Sequence, residues 1–219
     1  MNATLSVVPI SRTPVPLWES LEVTVGVAGD LTPGVDPRAV VLVEGRSDQA
    51  ALEALAERRG RTLVAEGVSI VPIGGAANIG RFLQQFGPQG LDARLAGLCD
   101  AAEEGYFRRG LDRAGFGSTL SRAEMEALGF YVCVADLEDE LIRSLGTAAV
   151  EQIVDAQGEL GSFRILQQQP AQQGRSTEDQ LHRFMGTRSG RKSHYARLLV
   201  GALDLTRVPR PLERVLAHV

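Results

Sequence analysis

Three apolar runs, each closed by a carboxylate, limit most strongly what this chain can fold into. VVLV at 40–43 stops at Glu44, LAGLC at 95–99 stops at Asp100, and FYVCV at 130–134 runs on to Asp136 and Glu138. A fourth run at 68–73 ends on the Gly74-Gly75 turn. The segments between them have helical spacing: 48–59 places Ala51, Leu52 and Leu55 on one face, and 78–86, the stretch up to 128 and 136–145 read as helices. Strands alternating with helices form βαβ units and a parallel sheet, and continuous apolar strands are those covered on both faces. The expected fold class is α/β: a Rossmann-like, mostly parallel sheet flanked by helices, with a helical C-terminal extension.

Residues 1–37 hold Pro14, Pro16, Pro33 and Pro37 without clear periodicity. They read as an irregular arm with one strand at 21–27. The α/β domain is expected over 38–200 and a helical tail over 201–219. Within the C-terminal part a strand is expected at 163–166. A Gln-rich loop follows at 167–173, then a helix opened by Ser176 in a capping box and a last helix starting near Pro211.

In open parallel sheets ligands bind outside the carboxyl ends of the strands. Glu44, Asp100 and Asp136 with Glu138 all fall there, and Asp48 falls in the first turn of the helix after Glu44, with Ser47 as its expected N-cap. Gly45 lets the chain turn and a ligand approach. Each acid has an ordinary reading too: Asp48 as a first-turn acid, Asp100 and Asp136 as caps. Several acids converging on one edge repel one another unless a cation sits among them, and hard oxygen donors suit Mg2+ or Mn2+.

Charge and composition narrow the partners. The net charge of −4 is not that of a typical nucleic-acid binder, but it is uneven: from Gly158 onward ten basic residues face five acidic ones. Of the 23 Lys+Arg, Lys192 alone is lysine, which singles out a site where a compact ammonium is wanted rather than a planar fork. Cys99 and Cys133 lie in apolar runs and read as buried free thiols; with His182, His194 and His218 lacking ligand spacing, no zinc site is expected. No apolar run is long enough to cross a membrane, and the N-terminus has no signal-peptide pattern, so a cytoplasmic protein is expected. Gly186-Thr-Arg-Ser-Gly-Arg-Lys192-Ser193 is a near miss for a P-loop, with Arg191 where glycine belongs and a helix ahead of it, so no nucleotide cradle is expected.

The stretch Val41-Leu-Val-Glu44-Gly45-Arg-Ser-Asp48 resembles the first motif of Toprim domains. The ordered set over residues 39–200 resembles the Toprim half of the OLD (overcoming lysogenization defect) family nucleases. In that likeness Glu44 and Asp48 match the first motif and Gly74-Gly75 the glycine turn. Asp100 matches the first acid of Asp-x-Asp, Asp136-Leu-Glu138 the x-x-Glu element, and Lys192 the distal lysine. The second acid of Asp-x-Asp is missing, since position 102 is alanine; Glu103 or Glu104 would have to substitute. The resemblance implies metal-dependent phosphodiester cleavage, with Glu44 and Lys192 catalytic and Glu44, Asp48, Asp100, Asp136 and Glu138 holding Mg2+ or Mn2+. Arg188, Arg191 and Arg197 would grip the flanking phosphates. No supporting module makes Tyr106, Tyr131 or Tyr195 a topoisomerase-type nucleophile. The expected partner is nucleic acid, DNA ahead of RNA, with no membrane. The family usually carries an ATPase ahead of this domain and this sequence holds none, so a separate ATPase and a second copy of the chain are further expected partners. Two rival readings remain: a degenerate Toprim protein that binds without catalysis, and nucleotidyl transfer or hydrolysis on a small nucleotide.

Overall fold

The structure is a computed structural model and describes residues 37–219; the strand expected at 21–27, and the arm up to residue 36, lie outside the described residues. Among the described residues four strands form the sheet: β1 (Ala39–Val43), β2 (Val68–Pro72), β3 (Arg94–Cys99) and β4 (Phe130–Val132). Their order is β2-β1-β3-β4 and every pair is parallel. Period-two alternation explains why a continuous apolar strand is stable here. In β1, Ala39, Val41 and Val43 enter one core, while Val40 and Leu42 enter the other.

The first core is covered by α1 (Arg46–Arg58), α5 (Leu137–Leu145), α6 (Thr147–Ala156), α7 (Leu160–Gln167), α8 (Thr177–Met185), α9 (Arg191–Ala202) and α10 (Arg210–His218). The second lies under α2 (Ile79–Phe86), α3 (Glu104–Arg113) and α4 (Arg122–Ala127). Gly97 in β3 permits a close contact on that second face. A Cβ there would stand 2.5 Å from Phe130 Cδ1 and 3.2 Å from the Leu42 carbonyl oxygen.

Arginine forks tie the C-terminal helices to α1. Arg58 Nη1 donates to the carbonyls of Val200 and Leu203, both at 2.7 Å, closing the end of α9. Arg61 Nη1 donates to Leu216 O at 2.5 Å, at the end of α10. Free carbonyls at a helix C-terminus accept such donors, and the helix dipole favours the charge.

Two expectations are corrected. The strand expected at 163–166 is the helix α7, in which Phe163 and Leu166 are buried while Ile165 is exposed, a spacing of three rather than two. The first helix begins at Arg46, so its N-cap is Gly45 rather than Ser47. The buried, free cysteines are as expected.

Candidate metal centre

Topology fixes where the site can form. From β1 the chain passes to β2 on one side, then crosses to β3 on the other, so the strand order reverses between β1 and β3. The crevice outside the carboxyl ends at such a reversal is where open α/β sheets bind ligands. Register brings Val43 opposite Leu98 and Cys99 opposite Val132. Glu44, Asp100 and the segment leading to Asp136 therefore leave the sheet at the same edge.

Glu44 is the first residue past β1, and its carbonyl accepts the Gly75 N–H at 3.1 Å, which joins the glycine turn to the rim. Its Oε2 is buried without a hydrogen-bond partner among the described residues. Burial raises its carboxyl, and the neighbouring Glu103, Glu138 and Asp136 raise it further against the pull of Lys192. Asp48, only 7% exposed, accepts the Gly45 N–H at 2.9 Å. Burial pushes it up to about 7, with Glu138 and Glu44 adding repulsion. Asp100 opens the 3-10 turn Ala101–Glu103 and is also pushed up to about 7, by burial first and then by Asp48, Glu44, Asp136 and Glu138.

On the far side of β4, Asp136 caps α5 by accepting the Asp139 N–H at 2.9 Å, and its other oxygen lies 2.5 Å from His182 Nε2. Burial works against its ionisation, but those two hydrogen bonds together with the charges of His182 and Lys192 outweigh burial and hold the carboxyl below its ordinary value. The same bond to Asp136 raises the imidazole of His182. Glu138, 4% exposed, accepts from Lys192 Nζ at 3.1 Å through Oε2 and leaves Oε1 buried without a partner. Lys192 is the second residue of α9, whose N-cap Gly190 is in the left-handed conformation at φ 76°. Burial would lower its ammonium, but Glu138, Asp136 and Asp100 together raise it.

The five carboxylates and the lysine picked out in the sequence thus sit on one rim and sense one another's charge. His182 was missed: it stands on α8, 46 residues from Asp136 along the chain, and no sequence spacing announces it. Asp136, Glu138 and His182 each offer a ligand atom within 4.8 Å of the others, a group that can hold a metal ion. The donors fit a hard divalent cation. They are nearly all carboxylate oxygens, two of those oxygens are buried without partners, and burial with mutual repulsion raises three of the carboxyls.

Other expected residues are placed differently. Glu104 is clamped by Arg108 and Arg122, which hold its carboxyl below the usual range, so it is engaged away from the rim. Of the two substitutes for the missing acid, Glu103 is the one near Glu44, and Ala102 is exposed. Arg191 is corrected: it is 7% exposed, donates to Phe184 O, Thr187 Oγ1 and Glu159 Oε1, and stacks on Phe184 with its Cζ 4.2 Å from the ring centroid, so it cannot grip a phosphate. Arg197 lies against Glu53 and Glu57 of α1. Arg188 is the most open of the three at 66% side-chain exposure, 3.7 Å from Glu159.

A parallel sheet with this order, carrying acids at its reversal point and a helical C-terminal part, defines a Toprim-like α/β domain. Residues 37–101 match the family model "Overcoming lysogenization defect protein-like, TOPRIM domain". Over 84% of this chain and 92% of the other, it is similar to the C-terminal region of the Xanthomonas campestris pv. campestris OLD protein, with 23% identity and a TM-score of 0.66. The C-terminal region of the Burkholderia pseudomallei OLD protein is similar over 84% of this chain and 97% of that one, with 18% identity and a TM-score of 0.61. At these identities the two structures establish the fold. No curated protein matches the chain. The OLD-like Toprim domain suggests nuclease-type function at the level of the family. Among the described residues no helix is long and apolar enough to cross a membrane.

Proposed function

We propose that this protein hydrolyses phosphodiester bonds of nucleic acid with the help of Mg2+ or Mn2+ held at the rim. The observation that carries the reading is the pair of buried, unpartnered carboxylate oxygens, Glu44 Oε2 and Glu138 Oε1, within a set of acids whose burial and charges raise the carboxyls of Glu44, Asp48 and Asp100. Glu44, Asp48, Asp100, Asp136 and Glu138 are the holding residues, with His182 on Asp136 as the added member. A divalent ion bound there supplies polarisation of a phosphoryl oxygen and of the attacking water. The water oxygen adds to phosphorus, the ester P–O bond breaks, and the departing oxygen takes up a proton.

The chain's own groups have separate tasks. Lys192 is kept protonated by its acidic neighbours, so it acts as a fixed positive charge beside the developing negative charge on the phosphate rather than as a base. His182 fixes the orientation of Asp136 by its hydrogen bond. Arg188 is the exposed cation left to meet the flanking backbone, a contact that gives affinity without sequence readout.

The test is nicking of supercoiled DNA, with a labelled RNA in parallel, in Mg2+ and in Mn2+. Wild type cleaves and Glu44→Gln does not; equal behaviour of the two across metals and substrates removes the reading. Exposed Ala102 in place of an acid favours one rival, a protein that binds the metal and strand with little or no turnover. A rate gained on Ala102→Asp speaks for a weakened enzyme, and wild-type metal binding without turnover in either form speaks for the rival.

A further inference from the structure

The phosphodiester reading makes no use of the outer flank of α3, although that helix starts at the rim. Asp100 follows β3 directly, the 3-10 turn comes next, and Glu103 stands at the mouth of α3, second only to burial in raising Glu44. Tyr106 lies three residues on, one turn outward on a neighbouring helix position. The stripe of α3 next to it along the helix is the one that packs on α2. Gly110, a turn further, packs so closely there that a Cβ would meet Ile79 Cγ2 at 2.8 Å. The turn Ala76–Asn78 also packs on α3, while a Cβ added at Gly75 or at Gly80 would meet nothing within 4 Å. The ground beside this flank is therefore low, and it leads back through Gly75 to the backbone of Glu44.

On that flank Tyr106 is 45% exposed, and Arg109 lies over its ring with Cζ 4.9 Å from the centroid. Gly105 makes the room for this: a Cβ there would stand 3.2 Å from Arg109 Nη1. Among the described residues Arg109 forms no ion pair with a carboxylate, unlike Arg108 and Arg122 beside it, which share Glu104. An exposed aromatic face and an uncompensated guanidinium plane are the two surfaces on which unpaired bases stack. In a duplex the π-faces are already covered by neighbouring base pairs, so such a pair recognises an unpaired nucleotide.

We infer that Tyr106 and Arg109 form a stacking platform for an unpaired base of the strand whose phosphate lies at the carboxylate rim. The inference rests on the phosphodiester reading and adds the substrate class: single-stranded or locally melted nucleic acid. Binding of fluorescein-labelled oligodeoxythymidylate, of oligouridylate and of a blunt duplex is measured by anisotropy, with Ca2+ replacing Mg2+ and in the Glu44→Gln background so that no strand is cut. Tyr106→Ala is expected to weaken single-strand binding by about fivefold or more, the worth of one stacked base. Tyr106→Phe stays near wild type and duplex affinity changes little. Arg109→Ala weakens the single strand in the same direction. Whichever labelled single strand binds in a Tyr106-dependent way identifies the sugar the platform accepts. The inference is overturned if wild type binds neither single strand, if Tyr106→Ala binds them as wild type does, or if single strand and duplex weaken equally. Loss of the phosphodiester reading would register separately, as cleavage indifferent to Glu44.

Discussion

Replacing Asp48 by Asn should make the metal-free protein more stable at neutral pH and less responsive to metal. Asp48 is buried and its carboxyl is raised from 3.8 to about 7. The folded state therefore binds its proton more tightly than the unfolded chain does. A raised folded pKa gives stability that is fully present below the ordinary value and lost as pH climbs through the folded one, here between about pH 4 and 7. A rise from 3.8 to about 7 corresponds to roughly 4 kcal/mol at about 1.4 kcal/mol per tenfold. Part of it returns through Asp100, whose own rise includes the charge of Asp48, and the amide must still be buried, so about 2 kcal/mol is expected at pH 8, some 5 °C in Tm. The amide oxygen can still accept the Gly45 N–H, which keeps the helix start. The assay is denaturant unfolding at pH 5 and pH 8 in EDTA, repeated with Mn2+. In EDTA the variant exceeds wild type at pH 8, and the gap closes at pH 5. With Mn2+ at about a hundred times its dissociation constant, wild type gains about 2.7 kcal/mol and the variant less. A variant no more stable than wild type at pH 8 in EDTA, or a gap unchanged by pH, refutes the reasoning.

Other outcomes follow from single contacts. Lys192→Ala leaves Glu138, buried with one oxygen already unpartnered, without its cation; turnover falls at least about a hundredfold while Mn2+ binding measured by calorimetry is kept or tightened. Arg191→Ala lowers stability by about 3 kcal/mol, the low end for removing one partner of a buried pair, and Arg191→Lys does not restore it, because the fork reaches Phe184, Thr187 and Glu159 at once. Gly97→Ala forces the Phe130 ring off the sheet and costs about 1–3 kcal/mol by overpacking, read in the same unfolding assay.

The strand ends were legible because a parallel strand buried on both faces must stay apolar until the sheet edge. In VVLVEG and LAGLCD the first carboxylate marks that edge, and both Glu44 and Asp100 lie just beyond it. The rule failed at FYVCV, since β4 stops at Val132: Val134 is 66% exposed and its N–H donates to Glu140 Oε1 rather than to a neighbouring strand. Residues 163–166 look like a strand because four residues are too few to separate a period of two from one of three. At the metal centre Glu44 and Asp100 were legible because each stands just past a strand, and Asp48, Asp136 and Glu138 because they open the helices that follow, whereas His182 reaches Asp136 only through the packing of α8 on α5. Arginines were the least legible. Composition counts the cations but not their partners, and the fold spends Arg58, Arg61 and Arg191 on helix carbonyls and internal carboxylates. The lone lysine was legible because arginine serves those structural tasks and does not replace a compact ammonium.

The central claim, that acids from separate strands gather at one rim around a divalent cation, is tested most directly by anomalous diffraction from crystals grown with Mn2+. The account predicts a manganese peak ligated by Glu44 together with Asp100 or the Asp136–Glu138 pair, with Lys192 beside it. A peak held by other carboxylates, or crystals saturated with Mn2+ that show none at this rim, would contradict it.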